Sequence, residues 1–168
     1  MKRIAILVEN MFDEKELIYP YFRLQEEGFQ VDLIGSKENT VYKGKSGMPM
    51  KSDYSSDKVK SSDYDALVIP GGFSPDYMRR SEATVAFAKA MDKDKKPIAA
   101  ICHGAWLMIS SCDLSNRNLT GFHSLKVDIE NAGATYLDKE VVVDGHFITS
   151  RTPNDLPVFL KAIIKALN

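Results

Sequence analysis

Short uninterrupted apolar blocks alternate along this chain with longer segments whose apolar positions recur at helical spacing. Arg3 to Glu9 is apolar at almost every position, as in a strand covered on both faces. After the polar break Asn10 to Asp13, the span Glu14 to Glu27 puts Leu17, Ile18, Tyr21 and Leu24 on one helical face. Gly28 ends that helix, and Pro20 requires it to start close by or to kink. Phe29 to Gly35 predicts a second strand, completing a right-handed strand–helix–strand crossover. Thr40 to Tyr42 and Met48 to Lys51 flank Lys43-Gly44-Lys45-Ser46-Gly47, a small hairpin at the domain edge. Ser52 to Ser62 is polar and predicts a loop with a short helical piece.

Tyr64 to Ile69 is the next buried strand, ended by Pro70-Gly71-Gly72. Asp76 to Lys93 predicts one helix with Val85, Phe87, Ala88 and Met91 inward, and Lys95-Lys96-Pro97 leads into the apolar run Ile98 to Ile101. Beyond it come a buried helix from Ala105 to Ile109, a short strand at Asn118 to Thr120, and a short helix from Leu125 to Asn131 ending at Gly133. Val141 to Val143 and Phe147 to Thr149 flank Asp144-Gly145, a hairpin signal, and Pro157 to Leu167 is amphipathic. Alternating β and α segments predict a single α/β domain, 1–168, built on an open, mostly parallel sheet with helices on both sides.

The run Ile98 to Ile101 stops abruptly at Cys102-His103-Gly104. A strand turning sharply into a helix with a nucleophile at the corner is the nucleophile-elbow arrangement. Helix N–H groups aimed at such a sulfur favour thiolate, so the expected thiol pKa lies below its free value of ~8.5. The competing reading is a buried cysteine that merely ends a core strand. Three strand ends carry unusual residues: the first at Glu9 to Glu16, the next at Gly71-Gly72, the third at Cys102. In a parallel sheet these ends share one edge, where ligands bind. The N–H groups of Gly72 and His103 could then form an oxyanion hole, and Glu16 could reach the cysteine from the side. Read alone, Gly71-Gly72 is a tight turn and Glu16 a solvated first-turn carboxylate.

Composition narrows the class. The chain has 168 residues, a net charge of −1 and two cysteines, which leaves no charge field for nucleic acid or an anionic membrane and no disulfide framework. The apolar start breaks off at Glu9, shorter than a signal-peptide core of ~7–15 residues, and no apolar run nears the ~18 residues of a membrane span. A cytoplasmic, reduced setting is expected. No His, Cys or carboxylate cluster has metal-ligand spacing, and Gly71-Gly72 lacks the third glycine of a dinucleotide site, so no cofactor is expected.

The segments FDEKELIYPYFRLQEEGFQV, DYDALVIPGGFSPDYMR, KPIAAICHGAWLMIS, NAGATYLDKEVVVDG and ITSRTPNDL resemble those of the PfpI-type intracellular cysteine proteases. Their superfamily also includes the parkinsonism-associated protein deglycase and glutathione-independent glyoxalases. The resemblance implies a flavodoxin-like three-layer sandwich with Cys102 as nucleophile at a strained elbow, Glu16 hydrogen-bonded to the thiolate and His103 as its histidine. It implies oxyanion donors at Gly72 and His103, and a carboxylate at Asp76, supplied by a neighbouring subunit, that orients the histidine. A homo-oligomer with a shared site follows, because His103 and its neighbour Cys102 do not easily point at one place. The chain departs from the protease pattern at Ala105-Trp106, Ser46, Phe122 and Asp76, and these departures weigh against peptide hydrolysis more than against a reactive thiol.

The expected function is a cysteine-dependent hydrolase acting on a small carbonyl compound, a glycated protein or a peptide, in stress protection. The alternative is a non-catalytic redox-stress sensor or chaperone that uses oxidation of Cys102. Cys112, near the end of the elbow helix, is expected to be structural, with the helix dipole raising its pKa. His123 stays outside the catalytic set, and His146 is expected in an exposed turn.

Overall fold

Period-two alternation inside the apolar blocks decides which residues face which side of the sheet. Ile4 and Ile6 face one core while Ala5 and Leu7 face the other, and Leu67 and Ile69 are likewise opposed to Ala66 and Val68. The computed structural model describes residues 1–168. Its strands are β1 (Arg3–Leu7), β2 (Gln30–Gly35), β3 (Val41–Lys43), β4 (Pro49–Lys51), β5 (Tyr54–Ser55), β6 (Ala66–Ile69), β7 (Ile98–Ile101), β8 (Asn118–Leu119), β9 (Thr135–Tyr136), β10 (Val142–Asp144) and β11 (Phe147–Ser150). Its helices are α1 (Glu14–Glu26), α2 (Ser74–Met78), α3 (Glu82–Lys93), α4 (Ala105–Ser111), α5 (Lys126–Asn131) and α6 (Leu156–Leu167).

The main sheet runs β10-β11-β7-β6-β1-β2-β5, parallel throughout except where β10 joins β11. β1 lies inside the sheet, between β2 and β6, so the strand order reverses there and opens a crevice at the carboxyl ends. Leu17 and Leu24 of α1 pack with Phe159, Leu160 and Ile163 of α6 on one face. Phe87 and Met91 of α3, Leu107 and Met108 of α4 and Ile129 of α5 cover the other. This is the open, mostly parallel sheet with helices on both sides expected from the alternation, and the flavodoxin-like sandwich that the resemblance implied. The β3–β4 hairpin stands outside the main sheet as its own two-stranded unit.

Four local expectations change. The helix expected over Asp76 to Lys93 is two helices, because the Ser81 side chain accepts the Thr84 N–H at 3.3 Å and starts α3 afresh. Within Ser52 to Ser62, Tyr54-Ser55 adds an edge strand parallel to β2. In the last hairpin Asp144 pairs with Phe147, so the turn is Gly145-His146, one residue later than expected. His146 is not an exposed turn residue: its side chain is 9% exposed, and its Nε2 lies 2.7 Å from Asp92 Oδ1.

Candidate active site

The carboxyl ends of β1, β6 and β7 converge, and each brings one part of the site. β7 ends at Cys102, whose φ of 59° lies in the left-handed region that a non-glycine residue enters only under strain. A short 3-10 turn, Cys102–Gly104, then feeds α4. β6 ends at Gly71-Gly72. Gly72 has φ +70°, and a Cβ there would collide with the Met11 carbonyl. A Cβ on Gly71 would sit 2.5 Å from Glu16 Oε2 and 2.9 Å from Cys102 Cβ, so only glycine leaves room for the carboxyl and the cysteine to flank this backbone.

The loop after β1 is stitched to that turn. The Phe73 N–H donates to Met11 O at 2.9 Å, and Phe12 bridges Gly72. Asp13 caps α1, its side chain accepting the Lys15 N–H. One turn in, Glu16 is fully buried, with Oε2 accepting the Gly71 N–H at 2.7 Å and Oε1 without a partner. Pro20, four residues on, is accommodated inside α1. The Glu16 carbonyl therefore has no i+4 amide to accept.

Burial first, and the charge of Asp13 second, push the Glu16 carboxyl up to about 8, against the pull of the Gly71 N–H. Burial first, and the field of Glu16 second, push the Cys102 thiol up to about 12. The His103 and Gly72 N–H groups pull the other way, as expected of elbow donors, but the desolvation of a sulfur on a residue 8% exposed outweighs them. This reverses the expected direction for Cys102. At neutral pH Glu16 carries its proton, so its charge no longer opposes a thiolate beside it.

His103 provides a second correction. Its Nδ1 lies 3.3 Å from Cys102 Sγ, so the two neighbours do meet at one point. The left-handed φ at Cys102 and the tight turn that follows bring them together. Burial, then the nearby charges of Lys45 and His123, lower the His103 pKa from its ordinary value, which favours neutral imidazole.

Asp76 does not join this group within one chain; it receives Arg80 through Nε at 3.0 Å and through the terminal nitrogen at 2.5 Å. His123 is exposed, lies tilted at 43° against the Phe122 ring and lines a hollow of about 260 Å³ with Tyr136 and Arg151. Cys112 lies at the end of α4 with its thiol pushed up to about 12, by burial first rather than by the dipole.

The sequence reading passed over Lys45, which on the β3–β4 turn pairs with Asp13 at 2.9 Å and sits within electrostatic reach of Glu16 and Cys102. Trp106 and Phe122, named there as departures from the protease pattern, hold their rings 4.8 Å from the His103 ring. Trp106 follows His103 by three residues, the spacing of neighbours on a helix face.

A strained cysteine at a strand end, faced by a buried glutamate across a Gly-Gly turn, is matched across the whole chain by one family model, the DJ-1/PfpI family, over residues 2–166. The chain belongs to the DJ-1/PfpI family. It is 46% identical over 160 residues to general stress protein 18 of Bacillus subtilis, covering 94% of this chain and 93% of that protein. It is 42% identical over 165 residues to the deglycase PH1704 of Pyrococcus horikoshii, covering 98% and 99%. Among solved structures, a protein of Anabaena variabilis with DJ-1/ThiJ/PfpI-like and ferritin-like domains superposes with a TM-score of 0.96 at 43% identity, covering 99% of this chain. The chain spans about half of that protein, 48%. DJ-1β of Drosophila melanogaster superposes with a TM-score of 0.89 at 28% identity, covering 96% of this chain and 88% of that one.

Proposed function

We propose that this DJ-1/PfpI family member is a cysteine-dependent enzyme that adds Cys102 Sγ to a carbonyl carbon of a small dicarbonyl or of its adducts on proteins. The reading is carried by one observation: Cys102, strained at φ 59°, has His103 Nδ1 at 3.3 Å and a fully buried Glu16 opposite. The thiol proton passes to neutral His103, and the C–S bond forms as the carbonyl π bond breaks. The resulting oxyanion takes hydrogen bonds from the Gly72 and His103 N–H groups, and protonated Glu16 adds an O–H donor beside the sulfur. With a glycated amine in its hemiaminal form, the C–N bond breaks as His103 returns its proton to the leaving nitrogen, and Cys102 Sγ takes the place of the nitrogen on that carbon, giving the hemithioacetal of the dicarbonyl. With methylglyoxal, the hemithioacetal isomerises by proton transfer to a lactoyl thioester, and water releases lactate. The names of the deglycase and stress-protein relatives support this substrate class and a part in stress protection.

Peptide hydrolysis would use the same thiolate. Trp106 and Phe122 narrow the space around His103, which supports a small carbonyl over a polypeptide. The role of Asp76 that the resemblance implies requires a second copy of the chain.

A second reading rests on Glu16 Oε1, buried beside the sulfur without a partner. Two-electron oxidation of Cys102 by peroxide, taken twice, would give a sulfinate whose oxygen could accept that O–H. One set of assays separates the two: lactate from methylglyoxal, release of amine from a glycated peptide, and cleavage of a fluorogenic peptide, each with wild type and Cys102→Ser. The proposal expects lactate or amine release to fall at least about a hundredfold in the variant. Turnover that survives the substitution contradicts it. Absence of turnover in wild type, with peroxide-dependent sulfinate at Cys102, favours the sensor.

A further inference from the structure

His103 has one side-chain hydrogen-bond partner, Cys102 Sγ, and no acceptor in this chain holds its other ring nitrogen. Packing holds the ring instead. Phe122 stacks on it with centroids 4.8 Å apart and planes 27° apart, and Trp106 meets it edge-on at 4.8 Å and 63°. Each of these rings is fixed in turn. The Trp106 Nε1–H donates to Asp128 Oδ2 on α5 at 3.2 Å, and the indole lies edge-on to Phe73 at 6.1 Å. The backbone N–H of Phe122 donates to the carbonyl of Cys102 itself at 3.0 Å, so the stacked ring is registered on the nucleophile.

We infer that Trp106 and Phe122 are positioning residues that clamp His103 against Cys102 within a single chain, with Asp128 holding Trp106 in place. The inference rests on the reading that Cys102 reacts through His103. A sandwiched imidazole loses rotamer freedom before substrate arrives, so the proton acceptor waits at the sulfur. The clamp also keeps water from the ring, consistent with the downward direction of the His103 pKa. The other titratable groups around the ring are Cys102 itself with Glu16 beyond it, Lys45 on the β3–β4 turn, His123 after Phe122, and Asp128 behind Trp106.

The test reads the thiol directly, so it succeeds or fails independently of turnover. Cys112→Ala leaves Cys102 as the one cysteine, and its alkylation by iodoacetamide, in which sulfur displaces iodide, is followed against pH. Trp106→Ala and Phe122→Ala should each slow alkylation at pH 7 by about tenfold. They should also raise the His103 pKa, read from its ring-proton NMR shift, as water reaches the imidazole. Asp128→Asn keeps the acceptor and should track the parent, while Asp128→Leu and Trp106→Phe should fall between the parent and Trp106→Ala. If an alanine variant fails to fold, the Asp128 pair and Trp106→Phe decide the matter. Profiles within twofold of the parent for all of these variants would overturn the inference. So would Asp76→Ala alone reproducing the loss, which would assign the positioning to a carboxylate from a second copy. If turnover is absent but alkylation still depends on Trp106, the clamp stands and the proposed enzyme reading falls.

Discussion

Two side chains, Glu16 and Cys102, govern the chemistry through the protons they hold. The Glu16 carboxyl titrates at about 8 in the fold against an ordinary 4.5, so between those values the folded chain binds a proton that the unfolded chain has released. The stability this contributes is complete below pH ~4.5, declines as pH rises, and is gone once pH passes about 8. Glu16→Gln is neutral at every pH and keeps an acceptor for the Gly71 N–H. Urea unfolding should therefore find it close to wild type at pH 5 and more stable by on the order of a few kcal/mol at pH 9. A wild-type chain whose stability does not fall between pH 5 and 9 would refute the neutral carboxyl. The same variant cannot donate a proton, so its turnover should drop by about a hundredfold. Cys102, Glu16, His103 and the Gly71-Gly72 turn were legible as chemistry gathered at strand ends. The direction of the Cys102 shift was not, because it depends on how deeply the fold buries the sulfur. Nor was the meeting of Cys102 with His103, since neighbouring side chains point apart in ordinary backbone, and only the left-handed φ at Cys102 brings them together.

At the scale of elements, alternation and helical spacing located nearly every strand and helix, and they failed where a single polar contact outweighs the pattern. Ser81 is such a case: Met78 and Val85, seven residues apart, share a helical face across it, yet its hydroxyl caps a new helix. Ser81→Ala should cost about 1 kcal/mol, measured as a shift in the urea midpoint. The edge strand Tyr54-Ser55 is too short to carry a period and exists because the end of β2 pairs with it. In the β10–β11 hairpin, Asp144 takes the Asn118 N–H at 2.7 Å and so stays in its strand while Gly145-His146 turns. His146 then reaches Asp92, which also accepts the Asp113 N–H at 2.9 Å. Asp92→Ala strands both donors at the opposite end of β7 from the nucleophile. It should destabilise by about 2–3 kcal/mol in urea while leaving the rate of Cys102 alkylation unchanged.

For the molecule as a whole, the place of β6 between β1 and β7 matters most, because it sets the Gly71 turn between Glu16 of α1 and the strand end bearing Cys102. Alternating β and α segments predicted a parallel sheet and the edge on which the site would lie. They did not predict the strand order, which depends on which neighbour each crossover returns to. The two cores, one under α1 and α6 and the other under α3, α4 and α5, hold that edge rigid enough to keep a strained cysteine in place. Covalent chemistry at Cys102 is the claim on which the account depends, and acid quenching of wild type during turnover of a carbonyl substrate, followed by peptide mass mapping, tests it most directly. The account predicts an acyl mass increment on the peptide containing Cys102, lost in Cys102→Ser together with turnover. Full turnover with that peptide unmodified at every quench time, or undiminished turnover in Cys102→Ser, would contradict it.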